Sequence, residues 1–485
     1  MFERVLAPWT LAALLAGCAV GPSHDPPTVV VGPKFREAPD SVPSAVAPEP
    51  APPGQAQATV EPSAAAFWQT LGDTTLNRLV AQGLEANLDI HSAVARVKGA
   101  RAERTLAKLD LAPTITVVGG YTRQRLSNAS FSVVGAVIPD QDLWDVGAEA
   151  FWEIDLFGRL RRNLQGQSAL LGSAQEDLRS VQIILTAELA SAYFDLRGAQ
   201  GQLEVAQRNA ENQRRSLEVT QQRLDAGRGT AFDTERARAQ LSTTLAAIPV
   251  FEARVASAQY RVGVLVGRPP AAVAGELQSV AALPEPPEIA EIVSPDSLIR
   301  KRPDVVSAER RLAAETAFVG AAKAEYLPRV TVGGQAGWTA LDFDNIGGNG
   351  TSRFALGPVI SWPALNLGRV KARADAARAR EEEARARYEQ SVLQALSEVE
   401  TSLVTYRTAR SRQARLEEAA AASERAADLA RLRFEGGVTD FLQVLDAERT
   451  QLESQDQLAQ SRTETVTAYV DLYRALGGTW PLTAQ

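Results

Sequence analysis

RFEGGVTDFLQVLDAER, residues Arg433 to Arg449, holds the break that decides how this chain is built. Gly436-Gly437 interrupts two long helical patterns, and glycine is the residue that most cheaply ends one helix and turns the chain into the next. The same unit stands earlier as RLDAGRGTAFDTERAR, Arg223 to Arg238. An offset of 210 residues carries Gly227 onto Gly437, Gly158-Arg159 onto Gly368-Arg369, and Val266-Gly267 onto Leu476-Gly477. One offset holding across a hundred residues marks a duplicated architecture.

Outward from each tip the chain reads as helix. Residues 158–224 and 367–434 run without proline for about 66 to 68 residues each; at the helical rise each would reach roughly 100 Å. Return helices follow over 230–265 and 439–476, with Pro249 expected to kink or interrupt the first. Val392, Leu396, Val399, Leu403 and Tyr406 step by four and three, and Leu445, Leu452, Ala459, Val466 and Tyr473 step by seven. That is coiled-coil spacing, and its stripes are packing surfaces before anything else.

Ahead of each long helix lies a pair of alternating stretches, expected as strands over about 113–125 and 144–157, then 328–341 and 352–362. Trp144, Val146, Ala148, Ala150, Trp152 and Ile154 share one face, as do Val330, Val332, Ala336 and Trp338, and Phe354, Leu356, Pro358, Ile360 and Trp362. Each stretch has the roughly 9 to 11 residues that a tilted membrane strand needs, with aromatic residues at the ends. A soluble sandwich would use the same alternation, but two hairpins flanked by such helices have no obvious second sheet to cover. Four strands cannot close a barrel whose smallest form has about eight, so a membrane reading requires several chains.

Pro113 and Pro328 end shorter helices that precede the strands, at an offset of 215; loops absorb such a difference. The repeats therefore span 66–267 and 296–477, joined by a proline-containing connector, 268–295, expected on the outside of the helical body and followed by a tail, 478–485. Residues 1–17 have the layout of a signal peptide. Residues 18–65 carry eleven prolines and read as an extended tether.

Cys18 is the chain's only cysteine, so no internal disulfide is possible. A net charge of −7 offers no general attraction for nucleic acid. One cysteine with His24 and His91 makes no metal cluster, and no GxSxG, Walker A or GxGxxG motif places a nucleophile or phosphate. Catalysis and cofactors are not expected.

Leu15-Ala16-Gly17-Cys18 resembles a bacterial lipobox, which implies cleavage before Cys18 and a covalent lipid on it. With the tether, the doubled order helix, hairpin, long helix, glycine tip and return helix resembles the outer-membrane efflux channels of the TolC/OprM superfamily. FWEIDLFGRLRR, Phe151 to Arg162, is similar to the NodT-type lipoprotein branch, and LPRVTV and APTITV open paired hairpins. The resemblance implies a mainly α chain with a membrane β-barrel. It implies a homotrimer, closing a twelve-stranded barrel in outer-membrane lipid and an α-barrel in the periplasm, that serves a periplasmic adaptor and an inner-membrane pump of the RND type as a passive exit duct. It places a gate at Asp446 and Arg449, with Asp233 and Arg238 holding neighbouring helices, and departs at Phe434, a tyrosine in relatives, and at Gln443. Gly227, Gly436 and Gly437 become adaptor-docking tips. Arg449 stands three residues after Asp446, within reach of a pair on one helical face. The competing reading is a lipid-anchored periplasmic coiled-coil scaffold or adaptor without a pore.

Overall fold

The computed structural model describes residues 20–27, 31–38, 68, 71–125, 139–289, 292 and 294–478. Cys18, the signal peptide, most of the tether and all but the first residue of the tail lie outside them.

The helices and strands follow the doubled order. Helices α1 (Thr74–Ala86) and α2 (Leu88–Leu109) lead into strands β1 (Thr114–Gln124) and β2 (Gln141–Ile154), then α3 (Arg159–Asp225) and α4 (Ala231–Leu265). A short α5 (Pro270–Ala274) and α6 (Pro295–Lys301) cross to the second copy. There α7 (Pro303–Ala324), β3 (Arg329–Ala340), β4 (Ser352–Ser361), α8 (Leu367–Glu435) and α9 (Phe441–Ala475) repeat the plan. Among the described residues no helix is long and apolar enough to cross a membrane.

The copies in the sequence are not the compact units of the fold. One unit comprises residues 1–28, 96–175 and 307–389; the other comprises 29–95, 176–306 and 390–485, so each draws on both copies. The cause in the first unit is the sheet. Strands β1-β2-β3-β4 lie in one antiparallel sheet, so β2 and β3 join the two hairpins. The register puts Tyr121, Trp144 and Ala340 in line, then Val146 with Trp338, Val117 with Ala148 and Ala336, and Val330 with Ile360. The apolar stripes thus form one continuous face, and it is uncovered: Val117 is 80% exposed, Phe354 87% and Leu356 77%. A sandwich is excluded for the described residues, which contain no second sheet.

The opposite face is polar and tied across three strands. Arg353 donates to Asp145 at 2.9 and 2.5 Å and to Gln335 at 2.9 Å, while Thr339 donates to Asp145 at 2.6 Å. Two tryptophans lock the strand ends to the turns that follow the preceding helices. Trp152 Nε1 donates to the Leu111 carbonyl at 2.9 Å and Trp362 Nε1 to the Tyr326 carbonyl at 3.0 Å. The tryptophans differ by 210 in number and the carbonyls by 215, so the duplication is kept at the level of single contacts.

The second unit holds the main core, with Trp68, Leu76, Tyr193, Phe194, Val399, Tyr469 and Tyr473 buried together. Asp73 caps α1, accepting from the amides of Thr75 and Leu76, and receives the Tyr193 hydroxyl at 2.6 Å. Here too the copies match: Asn87 donates to the Leu265 carbonyl at 2.9 Å, and its counterpart Arg302 to the Ala475 carbonyl at 2.9 Å.

One expectation is corrected in part. Helix α4 is not interrupted at Pro249; Leu245, whose carbonyl loses its amide partner to that proline, lies on an exposed stretch where water can satisfy it. The connector is mostly exposed and is anchored at two points. Val273 and Leu277 are fully buried, and the Leu277 carbonyl accepts from Gln200 at 2.9 Å. The described parts of the tether are held against the body too. Val20 donates to the Phe157 carbonyl at 3.1 Å, and the amides of Arg36 and Glu37 both donate to the Glu400 carboxylate while Phe35 joins the core.

Candidate functional site: the paired helix tips

Both tips end in one backbone device. At the end of α8 the Gly437 amide donates to the Phe434 carbonyl at 2.9 Å and the Val438 amide to the Arg433 carbonyl at 2.9 Å. At the end of α3 the Gly227 amide donates to Leu224 at 2.9 Å and Arg228 to Arg223 at 2.8 Å. This is the Schellman arrangement, in which the residue after the helix turns left-handed; Gly227 has φ +67° and Gly437 φ +74°. Thr230 and Asp440 then cap the return helices, accepting from the amides of Asp233 and Gln443.

Above the second tip Phe434, Phe441, Val444 and Ala237 form a small buried cluster, with the two rings 5.5 Å apart. Its polar closure is Arg223, on α3. The Arg223 guanidinium stands 4.4 Å from the Phe434 ring centroid, and Nη1 donates to the Phe434 carbonyl at 2.5 Å. A cation against the last carbonyls of a helix meets the negative end of its macrodipole, and the ring adds a cation–π attraction. Phe434 is thus held at its carbonyl and its ring by an arginine from another helix.

Three polar residues on α3 continue from that point at intervals of seven. Ser216 donates to Glu448 at 2.6 Å, Asn209 to Gln455 at 2.9 Å and Gln202 to Asp456 at 2.8 Å. Glu448 is 3% exposed, with Arg431 Nε 3.2 Å away, and Arg431 also reaches Asp428 and Gln451, each at 3.0 Å. Burial pushes the Glu448 carboxyl above its ordinary value, against the pull of Ser216 and Arg431.

The residues expected at the gate are placed as follows. Asp446 is exposed, and among the described residues no hydrogen bond or ion pair reaches its carboxylate. Arg449 turns to Glu453, 3.2 Å away at i+4, rather than to Asp446. Asp233 accepts the Thr230 hydroxyl at 2.7 Å, and Arg238 pairs with Glu235 at 2.5 Å on the same helix. Gln443 is exposed on the first turn of α9. Phe434 alone of these lies between helices. Sequence reasoning missed Arg223 and Glu448; the seven-residue ladder ending at Arg223 was the signal for the first, and the acidic residue inside LDAER for the second.

An uncovered apolar sheet face, a polar opposite face and long helical hairpins with glycine tips define a class of protein, the outer-membrane channels. The model of the outer membrane efflux proteins matches residues 79–268 and 294–478, and the chain belongs to that family. It is 37% identical to the outer-membrane channel OprN, with a TM-score of 0.85 over 96% of this chain and 100% of that one. It is 31% identical over 429 residues to the solvent efflux pump outer membrane protein SrpC of Pseudomonas putida, covering 87% of this chain and 88% of that protein. Nodulation protein T of Rhizobium leguminosarum bv. viciae is 28% identical over 478 residues, 98% of this chain and 93% of its own. The chain is an outer-membrane efflux channel that extends into the periplasm, in a family of transport channels.

Proposed function

We propose that three copies of this chain form a passive exit duct, anchored in the outer membrane by acyl groups on Cys18 and served by a periplasmic adaptor and an inner-membrane pump of the RND type. The observation that carries the trimer is the sheet. Among the described residues β1 and β4 have no outer neighbour, and an apolar face with two open edges is stable in lipid only when the edges are closed. Three sheets of four strands supply a twelve-stranded wall.

Gating is assigned to the tips, with Asp446 as a ring of three carboxylates about the axis, favouring cations over anions. Arg449, Phe434, Gln443, Asp233 and Arg238 are assigned to the same gate, and Gly227, Gly436 and Gly437 to the docking of the adaptor. No catalytic step is assigned; energy and cargo selection belong to the partners.

Cys18→Ser tests the reading. The unacylated protein should still require detergent, cross-link as a trimer and conduct in a planar bilayer. A water-soluble monomer would leave only the scaffold.

A further inference from the structure

The duplication makes the Arg223 contact a template. Under the offset of 210, Arg223 corresponds to Arg433, Leu224 to Phe434 and Gly227 to Gly437. Arg223 takes the Phe434 carbonyl, which already accepts the Gly437 amide, on its second lone pair. The Leu224 carbonyl accepts the Gly227 amide at 2.9 Å in the same way, but among the described residues nothing takes its second lone pair. Arg433, which holds the register of Arg223, is exposed, and its guanidinium takes no hydrogen-bond or ion-pair partner among the described residues. One donor and one acceptor are satisfied inside the chain; an equivalent donor and acceptor are left over, on opposite hairpins.

A donor on the second hairpin and an acceptor on the first are what a cyclic, head-to-tail assembly joins. We propose that Arg433 of each copy donates to the Leu224 carbonyl of the neighbouring copy, so that the tip is ringed by latches made alternately within and between chains. The inference rests on the trimeric reading above. The two latches are unequal. The one within the chain has the Phe434 ring under its guanidinium, whereas Leu224 offers no π face, so the contact between copies is the weaker and yields first when the tip opens.

The test uses the full chain in outer membranes. Arg433→Cys combined with Leu224→Cys keeps the Leu224 backbone carbonyl in place, and a short bismaleimide should link copies into covalent dimers and trimers on a denaturing gel, with each single variant as control. Monomer alone would overturn the contact. In planar bilayers Arg433→Ala should raise the open probability about tenfold and Arg433→Lys by less, as expected for loss of one charge-assisted hydrogen bond; wild-type gating in Arg433→Ala would assign that arginine to some other partner and overturn the latch. The two readings fail separately. Covalent trimers that never conduct would remove the duct and keep the contact, while conduction without cross-linking would keep the duct and remove the contact.

Discussion

Arg223 joins the two hairpins of one chain through a single side chain, and its removal has a calculable effect. Arg223→Ala loses a charge-assisted hydrogen bond and a cation–π contact, about 2 to 4 kcal/mol together. The expected outcome is a tip that opens more often in planar bilayers, and unchanged gating would show that Arg223 only packs. Glu448 lies behind it with its carboxyl raised by burial. The folded form therefore keeps its proton to higher pH than the unfolded chain, so the stabilisation is full below the ordinary carboxyl value and is lost as pH rises through the raised one. Glu448→Gln, neutral throughout, should remove that slope when Tm is followed in detergent from about pH 4 to 8; parallel slopes would place the titration elsewhere. At this scale the sequence was only partly legible. Gly437 and Phe434 stand out in one short stretch, but Arg223 meets Phe434 only because two helices 211 residues apart in the chain pack together.

The helices were legible because their cause is local. Proline-free length, coiled-coil spacing and glycine stops are all written within one element, whereas the passage of α4 through Pro249 depended on an exposed neighbourhood that periodicity does not report. The glycines at the helix ends now divide into two kinds. A Cβ at Gly227 would meet nothing within 4 Å, but one at Gly267 would lie 2.4 Å from the Ala86 carbonyl oxygen. Gly227→Ala should cost only the left-handed backbone strain, about 1 kcal/mol, and Gly267→Ala clearly more, read as the fall in Tm of each variant; equal losses would mean that the α1 end gives way. Trp152→Phe and Trp362→Phe each remove one indole donor and should each lower stability by about 1 kcal/mol, a matched pair if the duplicated locks are equivalent. Sequence alone showed these tryptophans as aromatic strand ends, since the carbonyls that receive them belong to another element.

For the whole molecule, alternation showed four strands and the face each would turn to lipid, but not that the hairpins of the two copies are hydrogen-bonded to each other. Residues of β2 find their β3 partners nearly two hundred positions later, as Asp145 does with Thr339. At about 5 to 20 residues per second of synthesis, the first hairpin waits on the order of 10 to 40 s for its neighbour. Throughout that interval an apolar ribbon with an unpaired edge is open to aggregation, and the newborn polypeptide is expected to need a holding chaperone. A chain stopped after Gly267 keeps the ribbon and never receives the strand that would join it, so it should remain chaperone-bound or precipitate rather than insert.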